Sequence, residues 1–219
     1  MLVVFDCDGV LVESEHLAAE AFSLLLAQSE IYLSAAECEA LFIGKTLTHC
    51  MVYLHQTYPG RLPGDFRLQL DVLSDQIFAQ RLEAVQGVEA VLNTLKSRGI
   101  TLAVASNGGW DKVNLNLTRT GLSHYFCGTI FSAEHVPQPK PAPDVYLAAV
   151  EHCGVPVEFC CVIEDSDLGA QAGLAAGMRV LLFRPPWRVH TTPPPLGAEV
   201  FSDMGQVLAL LFSNYSAQA

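Results

Sequence analysis

Leu2-Val3-Val4-Phe5-Asp6-Cys7-Asp8-Gly9 decides the reading of this chain. Four apolar residues run without alternation and stop on two acids and a glycine. A short unbroken apolar run predicts a strand buried on both faces, as inside a parallel sheet. The same arrangement recurs downstream: an apolar strand at 100–105 is followed by Ser106 and Asn107, and one at 159–163 by Glu164 and Asp165. Further strand patterns lie at 129–132 and 179–183, with a marginal edge strand at 200–201.

Helical spacing fills the intervals at 88–98, 110–120, 143–153, 166–176 and 204–212. Gly99 stops the first of these, and Pro143 stands in the first turn of the third. This alternation predicts an α/β fold: a Rossmann-like, mainly parallel sheet flanked by helices, with right-handed crossovers. The interval 15–84 departs from it, with helical patterns at 15–29, 34–42, 46–55 and 65–83 and no strand. It reads as an all-helical domain inserted into a core made of 1–14 and 85–219. The proline-rich stretch 184–198 reads as a surface loop and 213–219 as a frayed end.

The 219 residues are 51 % hydrophobic, enough for one full core and a small second domain. Net charge is −11, and no basic run exists to grip a nucleic acid backbone or an anionic membrane surface. No apolar run reaches transmembrane length, and the first residues lack the charged start of a secretory signal. The expected compartment is the cytoplasm. Cysteines at 7, 38, 50, 127, 153, 160 and 161 are odd in number and form no CxxC, so they read as reduced core thiols.

Ligands of open parallel sheets bind beyond the carboxyl ends of the strands. Asp6, Asp8, Ser106, Asn107, Glu164 and Asp165 all fall there, and Lys140 lies in the loop before the helix at 143–153. They are expected to converge on one pocket. Carboxylates crowded in this way share protons or bind a cation, and all-oxygen ligation beside a phosphate suits Mg²⁺. The lysine and the serine then face phosphate oxygens. Asp6 and Asp8, two residues apart, permit two jobs: attack on phosphorus, and proton transfer to and from the leaving and incoming oxygens. Gly9 allows a tight turn with amides open to phosphate. Neither GxxxxGK[ST] nor GxGxxG occurs, and Gly44-Lys45-Thr46 lacks the glycines of a P-loop.

FDCDGVLVESE at 5–15 resembles the first motif of the haloacid-dehalogenase-like hydrolase superfamily. Ser106-Asn107, Lys140-Pro141 and IEDSDLGAQAGLAAGM at 163–178 resemble its other three, in the family's order and spacing. The chain is most similar to the sugar-phosphate phosphatases and β-phosphoglucomutases, whose helical cap follows the first motif. The resemblance implies that Asp6 is the nucleophile and a Mg²⁺ ligand. It implies that Asp8 is the general acid/base and offers the metal its backbone carbonyl. Ser106 and Lys140 would bind the transferring phosphoryl group, with Lys140 close to Asp6. Asp165 would ligate the metal directly and Glu164 through a water, unless Glu164 only shapes the turn. Asn107 and Gly9 would contact phosphate by backbone or amide, and Gly169 and Gly173 would serve helix packing. Ser166 reads as a helix N-cap, and Asp167 as a first-turn acid or a further ligand. Glu15 at the first hinge, and Lys45 within a cap loop at 43–46, are the candidates for substrate contact.

Two departures favour water as the acceptor. Ala18 stands where mutases of this type carry a histidine, and NGGWD at 107–111 lacks their serine-lysine pair. The implied activity is a Mg²⁺-dependent phosphatase acting on a sugar phosphate or phosphogluconate-like metabolite through an aspartyl-phosphate. A phosphosugar mutase and a catalytically silent binding module are the alternatives. The expected partner is a small phosphorylated metabolite, and the expected state a monomer or weak dimer.

Overall fold

Both faces of β1 (Leu2–Phe5) are fully buried, as its unbroken apolar run requires. The computed structural model describes residues 1–42, 45–188, 190 and 192–213. Beside β1 run β2 (Thr101–Ser106), β3 (Ile130–Ser132), β4 (Cys160–Glu164), β5 (Arg179–Phe183) and β6 (Glu199–Phe201). All pair in parallel, in the order β3-β2-β1-β4-β5-β6. The weak pattern at 200–201 becomes β6 because Leu181 to Phe183 of β5 supply its ladder partners.

The helices are α1 (Glu15–Gln28), α2 (Ala35–Phe42), α3 (Leu47–Thr57), α4 (Phe66–Arg81), α5 (Val88–Ser97), α6 (Trp110–Arg119), α7 (Asp144–Cys153), α8 (Asp167–Ala175) and α9 (Gln206–Ser213). No helix among the described residues is long and apolar enough to cross a membrane. The end at 214–219 lies outside the described residues.

The chain divides into two compact units, Met1–Val12 with Ala84–Ala219, and Glu13–Glu83. In the first unit, one sheet face gathers Leu2, Val4, Ala103, Ala105, Cys160 and Val162 against Val145, Tyr146 and Ala149 of α7 and Ala170 and Ala172 of α8. Side chains alternate across a strand, so Val3, Phe5, Val104 and Ile163 take the other face. In the second unit α1 packs against α2 and α4, around Phe22, Leu26, Cys38, Leu54 and Phe66. Where the chain leaves and re-enters the first unit, the Val85 amide donates to the Leu11 carbonyl at 3.0 Å. In the second unit the Glu13 amide donates to Glu83 at 2.9 Å.

All seven cysteines are free thiols, and Cys7, Cys38, Cys50, Cys160 and Cys161 are buried. Burial pushes the Cys38, Cys50 and Cys160 thiols up to about 11 and Cys161 to about 12. Cys127 corrects the reading of a core thiol: it is exposed, just before β3. Thiolate fraction and access govern alkylation. Native protein at neutral pH is therefore expected to label at Cys127, with the buried five labelling only after denaturation; peptide mass spectrometry reads both.

Asn116, on the buried side of α6, has neither side-chain oxygen nor nitrogen hydrogen-bonded among the described residues. An unmade buried hydrogen bond costs about 1–3 kcal/mol. Asn116→Leu, which keeps the branch at Cγ, is expected to stabilise the protein by about 1 kcal/mol, measured by urea denaturation. Destabilisation would show that the amide is satisfied.

Candidate active site

β1 and β4 lie side by side at the point where the strand order reverses, the usual crevice of an open α/β sheet. Asp6 follows β1 directly, and its amide donates to the Ile163 carbonyl at 2.9 Å. That bond sets Asp6 beside Glu164, the last residue of β4. Lys140 arrives from the loop before α7 and is almost fully buried. Its Nζ donates to Asp6 Oδ1 at 2.6 Å, Glu164 Oε1 at 2.6 Å and the Ala105 carbonyl at 2.8 Å. It also lies 4.8 Å from the Tyr146 ring centre, a cation–π contact. A lysine buried in this way is tolerated because each of its three donors has an acceptor.

The charges act on one another strongly. Burial pushes the Asp6 carboxyl well above the usual carboxylate range. Lys140 pulls it back, and Glu164, Asp165 and Asp8 push it further up. Burial also works against the Lys140 ammonium, but Asp6 and Glu164 outweigh it and hold its pKa well above that of a free lysine. The ammonium is thus the fixed charge of the site.

Glu164 is occupied on both oxygens. Oε1 accepts from Lys140 and, at 2.7 Å, from the Tyr146 hydroxyl. Oε2 accepts from the Asp165 and Ser166 amides at 3.0 and 3.1 Å and from the Ser166 hydroxyl at 3.0 Å. It therefore grips both Lys140 and the turn into α8. A Cβ on Gly169 would overlap this carboxylate, and one on Gly173 would press on Val180 at 2.8 Å. Both glycines thus let α8 approach the sheet. Ser166 caps α8, its Oγ accepting from the Gly169 amide at 3.0 Å. Asp167 accepts from Arg184 Nη2 at 2.5 Å and pairs with the Thr192 hydroxyl.

At the end of β2 the Ser106 Oγ accepts from the Gly108 amide at 2.9 Å. A Cβ on Gly108 would lie 3.2 Å from Ser106 Oγ and 3.7 Å from Asp8 Oδ2, so both groups flank one glycine. Ser132, fully buried in β3, supports this turn by donating to the Gly108 carbonyl at 2.7 Å. Glu134 Oε2 accepts from the Trp110 amide at 3.0 Å, an acid at the positive end of α6.

Two groups expected to contact phosphate have partners within the chain. The Asn107 side chain is spent on Lys140: its Oδ1 accepts from the Lys140 amide at 2.9 Å and its Nδ2 donates to the Lys140 carbonyl at 3.3 Å. The side chain thus holds the lysine's backbone, which leaves the Asn107 backbone amide as the group for the expected contact. The Gly9 amide donates to the Val12 carbonyl at 2.8 Å, because the DxDG turn closes on itself. Gly9 serves by conformation, with φ +82° and no room for a Cβ against the Asp165 carboxylate. Glu15 and Lys45 belong to the Glu13–Glu83 unit, where the Lys45 amine donates to the Leu41 carbonyl at 2.6 Å. Ile43 and Gly44 lie outside the described residues.

Asp6, Glu164 and Asp165 each present an oxygen within 4.8 Å of the others. Hard oxygen donors at this spacing fit a small divalent cation. Glu164 would have to surrender existing bonds to ligate, so Asp6 and Asp165 are the better ligands. Sequence reasoning missed Tyr146, Ser132 and Arg188. Tyr146 had one usable signal, a hydroxyl on the apolar stripe of α7. Arg188 comes from the 184–198 stretch, read as a surface loop, yet its Nη1 reaches Asp165 Oδ2 at 2.6 Å.

This fold, with a lysine-bridged acid cluster at the switch point, is that of a haloacid dehalogenase-like hydrolase. The chain belongs to that family, whose model matches residues 1–177. It is 30 % identical over 184 residues to the 6-phosphogluconate phosphatase of Escherichia coli, covering 83 % of this chain and 81 % of that one. It is 28 % identical to hexitol phosphatase A of the same organism, covering 84 % and 82 %. A HAD family hydrolase of Deinococcus radiodurans, solved with bound phosphate and sodium, superposes with a TM-score of 0.81 at 31 % identity, covering 97 % of this chain and 95 % of that one.

Proposed function

We propose that the protein is a Mg²⁺-dependent phosphatase of a small phosphorylated sugar or sugar acid. The observation that carries this reading is Lys140, held at 2.6 Å from Asp6 and wedged against Glu164 beside the Asp165 carboxylate. Asp6 and Asp165 would hold the metal, whose charge, when bound, offsets the crowded carboxylates and polarises the phosphoryl oxygens.

Asp6 attacks phosphorus in line, forming an aspartyl-phosphate as the phosphorus–alkoxide bond breaks. Asp8, two residues on and beside Ser106, gives its proton to the departing oxygen. Ser106 holds the phosphoryl oxygens throughout, and Lys140, whose three donors are engaged in the free protein, turns one of them to the phosphoryl group by giving up one of those acceptors. Asp8 then takes a proton from water, which attacks phosphorus and frees Asp6. Asn107, Tyr146 and Glu164 hold Lys140 at its station. The Glu13–Glu83 unit is the cap that selects the sugar, with Glu15 and Lys45 as its candidate contacts.

The names of the two bacterial phosphatases support the substrate class. The test is phosphate release from 6-phosphogluconate, hexitol phosphates and hexose phosphates, with Mg²⁺ and with EDTA. Release from at least one substrate, lost in EDTA, is expected. Well-folded protein inert toward the whole panel would contradict the reading, and a substrate isomerised without phosphate release would favour the mutase.

A further inference from the structure

Arg184-Pro185-Pro186-Trp187-Arg188 follows β5 and folds back over the carboxyl end of the sheet. Arg184 fastens it, donating to Asp167 Oδ1 at 2.5 Å and to the Thr192 carbonyl at 2.8 Å. A turn closed by the Arg188 amide on the Pro185 carbonyl, at 3.1 Å, then aims the second arginine inward. Its side chain is 8 % exposed, facing an Asp165 side chain 5 % exposed. Nη1 lies 2.6 Å from Asp165 Oδ2, and Nη2 lies 3.4 Å from the Gly9 carbonyl. The guanidinium thus sits over the DxDG turn, on an acid that clusters with Asp6.

We propose that Arg188 is a resident counter-ion that competes with the divalent metal for Asp165 and so sets the metal affinity of the site. The inference rests on the metal-dependent reading above and adds a residue to it. Acids crowded at low exposure need cationic charge, and a nearly buried guanidinium supplies it in the absence of metal. A divalent ion arriving at the same carboxylate meets a like charge that water screens poorly. Loading the site therefore displaces the guanidinium from Asp165. Arg184, one turn back and tied to Asp167, keeps the strap attached while Arg188 swings. A purely orienting role, in which Arg188 steadies Asp165 for the metal, predicts the opposite sign: its removal would weaken binding.

The test is direct Mn²⁺ binding, read by electron paramagnetic resonance of the free ion, on the full chain. Arg188→Ala is expected to bind Mn²⁺ at least about tenfold more tightly than the wild type. Arg188→Lys, which keeps the charge, is expected to stay within about threefold of it. Melting in EDTA checks that both variants fold. A second readout needs no change at Arg188. The chain has two tryptophans, so Trp110→Phe leaves Trp187, edge-on to Phe183, as the only indole. Mg²⁺ is expected to shift its emission as the strap releases. Unchanged or weaker Mn²⁺ binding in Arg188→Ala, or emission indifferent to saturating Mg²⁺, overturns the counter-ion role and leaves the metal-dependent reading intact. Failure of the wild type and both variants to bind Mn²⁺ at all overturns both.

Discussion

Asp6→Asn is expected to abolish turnover, by at least about 10⁴-fold, while the protein folds as before. The amide has the same shape but no nucleophilic oxygen, so no acyl phosphate can form. Its carbonyl can still accept from the Lys140 ammonium, which in the native chain donates to Asp6 Oδ1 at 2.6 Å. Stability should change little, because the amide keeps the shape and an acceptor for Lys140 while it relieves the repulsion from Glu164, Asp165 and Asp8. Steady-state phosphate release and thermal melting measure the two halves of this expectation. Metal-dependent turnover surviving in the variant would remove Asp6 as the nucleophile.

Lys140→Met is expected to damage both activity and stability. The ammonium joins Asp6, Glu164 and the Ala105 carbonyl in a region closed to water. Its removal leaves Asp6 and Glu164 facing one another without the cation between them, which costs about 3–5 kcal/mol. Turnover should fall by about 10²–10³, the usual loss for one donor to the developing charge. Lys140→Arg should not restore it, because a planar fork does not fit a station built around a point charge with three converging acceptors. Urea denaturation and kcat report the two effects. A variant as stable as the parent would show that the acids are compensated by something other than Lys140.

Much of this site was legible in the sequence for a topological reason. Parallel strands deliver their carboxyl ends to one edge, so Asp6, Ser106 and Glu164 could be placed together from the apolar runs that precede them. Lys140 could be added through the motif it resembles. What the sequence did not disclose is which polar groups are already spent. The Gly9 amide is used by Val12, and the Asn107 amide by a backbone 33 residues away. Nothing in the sequence shows that these two groups have partners within the chain. Arg188 was hidden in the same way: Gly9, which it approaches, is 179 residues distant, and a proline-rich stretch carries no periodicity to show which way a side chain turns. Cys127 reads like the buried thiols because composition alone does not show that the turn before β3 lies at the surface.

The proposed mechanism requires Asp6 to take the phosphoryl group. Stoichiometric enzyme mixed with a turned-over substrate, quenched in acid and reduced with borohydride, converts an aspartyl-phosphate to homoserine. Peptide mass spectrometry should find homoserine at position 6, and aspartate unchanged at 8 and 165. Homoserine at another of these positions, or none anywhere while phosphate is being released, would contradict it.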